Sequence, residues 1–348
     1  MMSKTKVAII CGGRSSEHEI SCISANGVLQ AIDRNLFDIE LIGITKSGKW
    51  FHLPKDSNFM VVNGVLPIIP ENGVEVSITS QGLIAGEKNL AIDVVFPVLH
   101  GPYGEDGTIQ GLLEIIGLRY VGSGVLASAI CMDKSYAKPI FASAGLKVAP
   151  GIVVTSKKFE LPSNLSVPLF VKPARSGSSR GTSKVNQISE LAGAVEHALT
   201  FDSKVIIEQA VMGKEIECAV LESDEKLTVS AVGEIAISKE FEFYDFQAKY
   251  LDNSMKLLVP ANLPKGVEDE IKKAALIAFS AAGCEGLARI DFFYSNTGEV
   301  IINEINTMPG FTPTSVYPKL IEESGVDYQL LITKLIKTAM NRSISITR

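Results

Sequence analysis

The deficits of this 348-residue sequence are informative first. It has five cysteines, Cys11, Cys22, Cys131, Cys218 and Cys284, an odd number with no C-x-x-C among them. That pattern excludes a disulfide framework and a zinc site, and fits reduced structural thiols in a cytosol. No stretch approaches the roughly 18 uninterrupted apolar residues of a membrane span. The start, MMSKTKVAIICGG, offers only residues 7–11 as an apolar run, which is too short for a signal segment and reads better as a first strand. Positive charge is in deficit: 33 Lys and Arg against 39 Asp and Glu give a net charge of −6. Neither nucleic acid nor an anionic membrane is the partner such a balance suggests. Two glycine signatures are also missing. Without G-x-G-x-x-G after the first strand a dinucleotide reading fails, and without G-x-x-x-x-G-K-[ST] so does a P-loop. Internal repeats and low-complexity tails are lacking. What remains is a cytoplasmic protein of two to three domains, with 46% hydrophobic residues for its cores.

The chain opens as strand, loop, helix, strand: residues 7–11, the polar loop 14–19, a helix from a capping Ser21, and a strand at 39–44. Such an opening predicts a parallel sheet with its site at the strand ends. Residues 46–90 read as an insertion of loops and short strands, and 91–99 as another buried strand. After it comes HGPYGEDG (100–107), whose three glycines suggest close backbone approach to something, and a helix at 108–117. One helical run is expected over 123–145. A strand at 168–171 leads through Lys172 into the small-residue loop 174–181, where successive N–H groups can line a phosphate while the lysine supplies charge. Strands follow at 205–209, 214–221 and 227–237. The aromatic, aperiodic segment 241–262 reads as one long loop, 267–282 as an amphipathic helix and 328–340 as a last helix.

Everything is organised around residues 288–315, ARIDFFYSNTGEVIINEINTMPGFTPTS. Two β-rich runs flank Ser295-Asn296-Thr297-Gly298, whose glycine closes a hairpin turn. Side chains alternate along a strand, so Arg289 and Asp291 share one face, as do Glu304 and Asn306. If those faces coincide, the hairpin presents two carboxylates, an amide oxygen and a guanidinium together; otherwise it is a solvated sheet face. An all-oxygen set with few ligands suits a hard cation that keeps water and phosphate, which favours Mg²⁺ over Ca²⁺. Met308-Pro309-Gly310-Phe311 then breaks regular structure where a binding loop would sit.

Eight segments carry a resemblance: CGGRSSEHEIS, HGPYGEDGTIQG, ASAICMDK, FVKPARSGSSRG, VIIEQ, YDFQAKY, GLARIDFF and INEINTMPGFTPTS. In this order they resemble the D-alanine–D-alanine ligases of the ATP-grasp superfamily, essentially from end to end. The resemblance implies an α/β (α+β) protein with an ATP-grasp fold and an N-terminal Rossmann-like parallel-sheet domain. Its expected domains are residues 1–122, a central ATP-grasp part at 123–211 and a C-terminal part at 212–348. It also implies ATP as co-substrate, two Mg²⁺ ions (with Mn²⁺ as a substitute), two D-alanine molecules as substrates, and a homodimer. ATP phosphorylates the first D-alanine, and the amine of the second attacks the acyl phosphate.

Residue by residue, Asp291, Glu304 and Asn306 match the family's metal ligands, and Lys134 and Lys172 its phosphate-binding lysines. Glu208 matches the partner of the adenine amino group and Glu215 that of the ribose hydroxyls. Ser178, Ser179, Gln209, Ala210 and Lys249 complete the expected ATP contacts. Arg289 and the Gly310 N–H match the oxyanion donors. Glu17 matches the ammonium anchor of the first D-alanine, although from the residues alone it is equally a helix-capping carboxylate. Ser315 and Lys249 match the carboxylate contacts of the second, His100 lies near the reacting groups, and Tyr250 and Ser178 match a hydrogen-bonded set with Glu17. Gln209, Ser176 and Arg180 depart from the family's usual lysine, glutamate and small apolar residue. The nearest rival is a D-alanine–D-lactate ligase, against which Lys249-Tyr250 argues. A non-catalytic nucleotide-binding protein is opposed by the intact Lys134, Lys172, Arg289, Asp291, Glu304 and Asn306.

Overall fold

A computed structural model describes residues 4–237 and 255–343. The described residues form three sheets. The first has eight strands, in spatial order Lys88–Asn89, Gly82–Ala85, Val74–Thr79, Trp50–Leu53, Phe37–Ile44, Thr5–Gly12, Val94–Pro97 and Arg119–Tyr120. Its last four strands are parallel, and the rest, built from the insertion, add antiparallel to one edge. Strand Thr5–Gly12 is buried from Val7 onward, as an unbroken apolar run in a sheet covered on both faces requires.

Helix His18–Ala31 covers one face, and the C-terminal helix Tyr328–Asn341 packs beside it. Val28, Phe96, Phe311, Tyr317, Leu331 and Leu335 share one core, so the first sheet is joined through apolar contact to the C-terminal part of the chain. Phe311 is fully buried within it, 5.5 Å from Phe96, 5.7 Å from Tyr328 and 6.0 Å from Tyr317 between ring centroids. Tyr328 also donates to the Phe311 carbonyl at 2.5 Å. The irregular segment after the hairpin is therefore fastened in place by aromatic packing.

The second sheet has four antiparallel strands, in the order Ser183–Val185, Leu169–Pro173, Val205–Gln209 and Gly151–Val154. The third has five: Met255–Leu258, Lys226–Ile237, Gly213–Ser223, Leu287–Ser295 and Val300–Asn306. The hairpin expected around Gly298 is its edge, with the Gly298 N–H donating to the Ser295 carbonyl at 2.9 Å and φ +84° at the glycine.

Three sequence readings are corrected. The first helix starts at His18 with Glu17 at its N-cap position, not at a capping Ser21. Ser21 Oγ instead accepts from the Gly12 N–H at 2.8 Å and donates to the Val98 carbonyl, tying two strand ends together. The helical run over 123–145 is two helices, Val125–Met132 and Lys134–Ser143. Asp133 separates them, its carboxylate accepting from the Ser135 N–H at 3.0 Å as an N-cap. Of the expected loop 241–262, residues 241–254 lie outside the described residues, while Met255–Leu258 is a strand pairing with Lys226–Ile237. Helices Leu191–Ala198 and Val316–Glu322 have no counterpart in the sequence reading. No helix among the described residues is long and apolar enough to cross a membrane.

Candidate active site

Antiparallel register sets the centre of the site. Asp291 pairs with Glu304 across the hairpin and with Glu217 on the other side, and Arg289 pairs with Asn306. The two expected faces coincide. Arg289 grips Asp291 with Nε at 2.8 Å and a terminal nitrogen at 2.7 Å, and Nε also lies 2.9 Å from Glu217. Burial alone would lower the guanidinium's pKa, but Asp291 and then Glu217 hold it well above its usual value. Asn306 Nδ2 donates to Asp291 at 3.0 Å. The register shifts between Asp291 and Phe292, so Phe292 pairs with Ile302 and Asn303 is the extra residue. Asn303 and Glu304, neighbours in sequence, both line the same cleft.

Helix Lys134–Ser143 bridges the two antiparallel sheets. Lys134 and Lys138 lie one turn apart on one helix face. Lys134 Nζ is 2.8 Å from Glu304 and donates to the Ser176 carbonyl at 3.1 Å. Lys138 Nζ is 2.8 Å from Glu208, whose other oxygen pairs with Lys172. Lys172 in turn donates to Asn303 Oδ1 at 3.1 Å, linking the four-stranded sheet to the hairpin. Burial on its own would raise the Glu208 carboxyl, but Lys138 and Lys172 hold it at about 2. Burial lowers the Lys172 ammonium more than Glu208 raises it, which offsets part of what the pair gains.

A carboxylate depressed on folding stabilises above its unfolded pKa, and that stability is lost as pH falls through the folded value. Glu208 is thus expected to contribute on the order of 3 kcal/mol that disappears between about pH 4.5 and about pH 2. Glu208→Gln should flatten that limb of a stability-against-pH curve measured by urea unfolding; an unchanged limb would show that the ion pairs contribute nothing net.

The loop after Lys172 turns back toward the first sheet. Arg175 anchors it, with its N–H and Nε on Asp202 at 2.9 and 3.1 Å. Ser178 and Ser179 take the left-handed conformation, at φ +51° and +55°. Ser178 Oγ donates to Glu17 at 2.7 Å, making the expected Glu17–Ser178 contact; Lys249 and Tyr250 lie outside the described residues. Buried His100 donates from Nδ1 to the Met308 carbonyl at 3.1 Å, and Nε2 meets Ser24 Oγ at 3.0 Å. Burial lowers its pKa against the pull of Glu17, which favours the neutral imidazole, and its bond to the Met308 carbonyl ties it to the loop there. Ser315 Oγ accepts from the Thr312 N–H at 3.0 Å beside Gly310.

These residues surround two adjoining cavities. One, of about 480 Å³, lies between the antiparallel sheets and is lined by Lys172, Ser179, Glu208, Gln209, Glu215 and Asp291, among others. The second, of about 350 Å³, is lined by Glu17, His100, Arg289, Asn306, Gly310 and Ser315. Ser178 and Glu304 belong to both. Ala210, expected as an ATP contact, is not among the residues lining either cavity; its N–H donates to the Pro168 carbonyl at 3.1 Å, and Gln209 Nε2 reaches the same carbonyl at 3.0 Å.

Sequence reasoning gave no role to Lys138, Glu217, Asn303 or Glu105. Glu105 lies in the quoted HGPYGEDG motif and lines the second cavity, where Oε1 accepts from the Gly101 N–H at 2.8 Å. Burial first, then the charges of Glu17 and Glu304, push its carboxyl up to about 8. Its place directly after Gly104 in that motif does not announce this. The arrangement as a whole offers a cation-lined cleft for a polyphosphate, opening on a smaller polar chamber with an anion, a guanidinium and backbone N–H groups.

Comparison with known proteins agrees with this geometry. Residues 6–123 match the family described as D-ala D-ala ligase N-terminus, and residues 140–337 that described as D-ala D-ala ligase C-terminus. The D-alanine–D-alanine ligase of Mycolicibacterium smegmatis is 48% identical, over 97% of this chain and 96% of that protein. That of Mycobacterium leprae is 46% identical, over 98% and 95%. Among solved structures, the VanG D-Ala:D-Ser ligase of Enterococcus faecalis superposes with a TM-score of 0.84 at 38% identity, covering 97% of this chain and 100% of that one. The D-alanine–D-alanine ligase of Coxiella burnetii gives 0.82 at 30% identity, covering 97% and 96%. The two antiparallel sheets enclosing a cleft are the ATP-grasp arrangement, an ATP-dependent ligase scaffold, and the chain belongs to the D-alanine–D-alanine ligase family.

Proposed function

We propose that this enzyme joins two D-alanines into D-alanyl-D-alanine with ATP, for a peptidoglycan precursor. The observation that carries the reading is the sharing of Glu304 and Ser178 between the two cavities; a nucleotide in one and an amino acid in the other would bring terminal phosphate and carboxylate to one junction. A carboxylate is a poor electrophile, and phosphorylation turns its oxygen into a good leaving group. The protein's part in that step is positioning and charge neutralisation. Lys134 and Lys172 would hold the phosphates, Glu208 and Glu215 the adenosine, and Glu17 the ammonium of the first D-alanine. Arg289 and the Gly310 N–H would take the charge that develops on the tetrahedral intermediate as the second amine attacks, and Ser315 the second carboxylate.

Asp291, Glu304 and Asn306 fit Mg²⁺. Their donors are all oxygens on paired strands, and the two carboxylates already hold cationic partners in Arg289 and Lys134. Bound there, magnesium would neutralise phosphate charge. The same reading divides the chain at residues 122 and 211, assigns a homodimer, with Lys249 and Tyr250 in the segment that closes the site, and places the enzyme in the cytoplasm.

The test is phosphate release from Mg-ATP with D-alanine, L-alanine, D-serine, or D-alanine plus D-lactate, with products identified by mass. Phosphate and a dipeptide with D-alanine alone are expected. A depsipeptide formed only with D-lactate would keep the mechanism and replace the acceptor; no turnover with any of them would overturn the ligase reading.

A further inference from the structure

The lining of the 350 Å³ chamber is part polar and part apolar, and some of the apolar part comes from the insertion into the first sheet, to which the reaction assigns nothing. Ile20 and Ile23 of helix His18–Ala31 contribute to that apolar part, as do Met308, Pro309 and Val316 near the hairpin end, and the insertion adds Val61 and Leu66. The segment carrying Val61 and Leu66 is a tight hairpin. Val62 and Val65 exchange backbone hydrogen bonds at 3.2 and 2.9 Å around Asn63 and Gly64, whose φ values of +51° and +75° suit a two-residue turn.

Both feet of this hairpin are fastened to the helix that begins at His18. The Phe59 N–H donates to Asn26 Oδ1 at 3.2 Å, and the Ile69 N–H to His18 Nε2 at 3.0 Å. Phe59 and Ile69 are buried in the core, whereas Val61 is 47% exposed and Val65 70%. An exposed apolar tip on two fixed feet makes a wall of defined position. Val61 and Leu66 line the same chamber as Glu17 and Ser315, the groups assigned above to an ammonium and a carboxylate.

Resting on the ligase reading, we infer that Val61 and Leu66 are specificity-determining residues, forming the surface that meets the substrate side chain and limits it to a methyl group. Once the ammonium of the first D-amino acid engages Glu17 and its carboxylate meets the junction at Ser178 and Glu304, its remaining substituent is left to the apolar lining that includes Val61 and Leu66. A pocket that fits a methyl discriminates against one more methylene by about 10-fold to 200-fold. Leu66 and Val61 supply the atoms whose removal relieves that limit.

The experiment compares kcat/KM for D-2-aminobutyrate with kcat/KM for D-alanine in the wild type, Leu66→Ala, Val61→Ala and Val65→Ala. Using the ratio within one preparation cancels any fraction of unfolded protein. The ratio is expected to rise about 10-fold in Leu66→Ala and several-fold in Val61→Ala. It should stay at the wild-type value in Val65→Ala, which belongs to the hairpin but not to the chamber. Equal ratios in all four proteins, or a Val65→Ala shift as large as that of Leu66→Ala, would overturn the assignment. A wild type that makes no dipeptide from D-alanine would instead overturn the ligase reading beneath it.

Discussion

Arg289→Met is expected to destabilise the protein by about 3–5 kcal/mol at neutral pH and to slow acyl transfer on the order of 10²- to 10³-fold. The stability loss follows from what the guanidinium leaves behind. Glu217 and Asp291 pair across adjacent strands, each with Arg289 as a close partner, and all three are largely withdrawn from water. Removing the shared cation sets two carboxylates side by side, and one must take up a proton or repel its neighbour. A carboxyl raised on folding binds its proton more tightly in the native state, so acid favours folding. The variant should therefore recover part of its loss as pH falls from 7 to 5, whereas a cavity alone would give no such recovery. Urea unfolding at the two pH values separates the cases. Arg289→Lys keeps the charge without the fork that spans both carboxylates, and should fall between methionine and wild type. Wild-type single-turnover rates in Arg289→Met would remove it from the reaction.

Asp291→Asn and Glu304→Gln are expected to spare stability, leaving a folded protein with turnover lowered on the order of 100-fold or more. Both substitutions keep shape and a hydrogen-bonding oxygen and delete one negative charge at the junction of the two cavities. In Glu304→Gln, Lys134 loses its carboxylate but keeps the Ser176 carbonyl at 3.1 Å, so the helix stays tied to the phosphate loop. The expected unfolding midpoint is within a few degrees of wild type. Mn²⁺ binding in the presence of a non-hydrolysable ATP analogue should weaken in parallel with turnover. Full activity in either variant would refute the metal assignment. Lost activity with undiminished Mn²⁺ binding would shift the role of these carboxylates to the substrates alone.

Much of this site was legible because it is written locally. Arg289, Asp291, Glu304 and Asn306 lie on two strands joined by a four-residue turn, and alternation alone places them on shared faces. The contacts that sequence missed join distant segments. Lys138 and Glu208 are 70 positions apart and meet only because a helix spans two sheets. Ser21 was misread because a serine before an apolar stretch looks like a cap, whereas its hydroxyl serves Gly12 and Val98. Asp133 divides a helical pattern that periodicity alone runs together. The short strand Met255–Leu258 takes its place from its partner Lys226–Ile237, not from any alternation of its own.

The extra residue at Asn303 also governs which changes of length this chain can absorb. Regular alternation would send Asn303 and Glu304 to opposite faces; the bulge is what gives Lys172 and Lys134 their separate partners from consecutive positions. Deleting Asn303 would restore a smooth ladder with Val300 and Ile302 still inward and Glu304 and Asn306 still toward the site, at the loss of the Lys172 partner alone. Residues added at the Ser295–Gly298 turn, beyond the last paired positions, disturb neither face. What the extra residue secures is therefore a second consecutive side chain on the site face, so that one strand serves both Lys172 and Lys134.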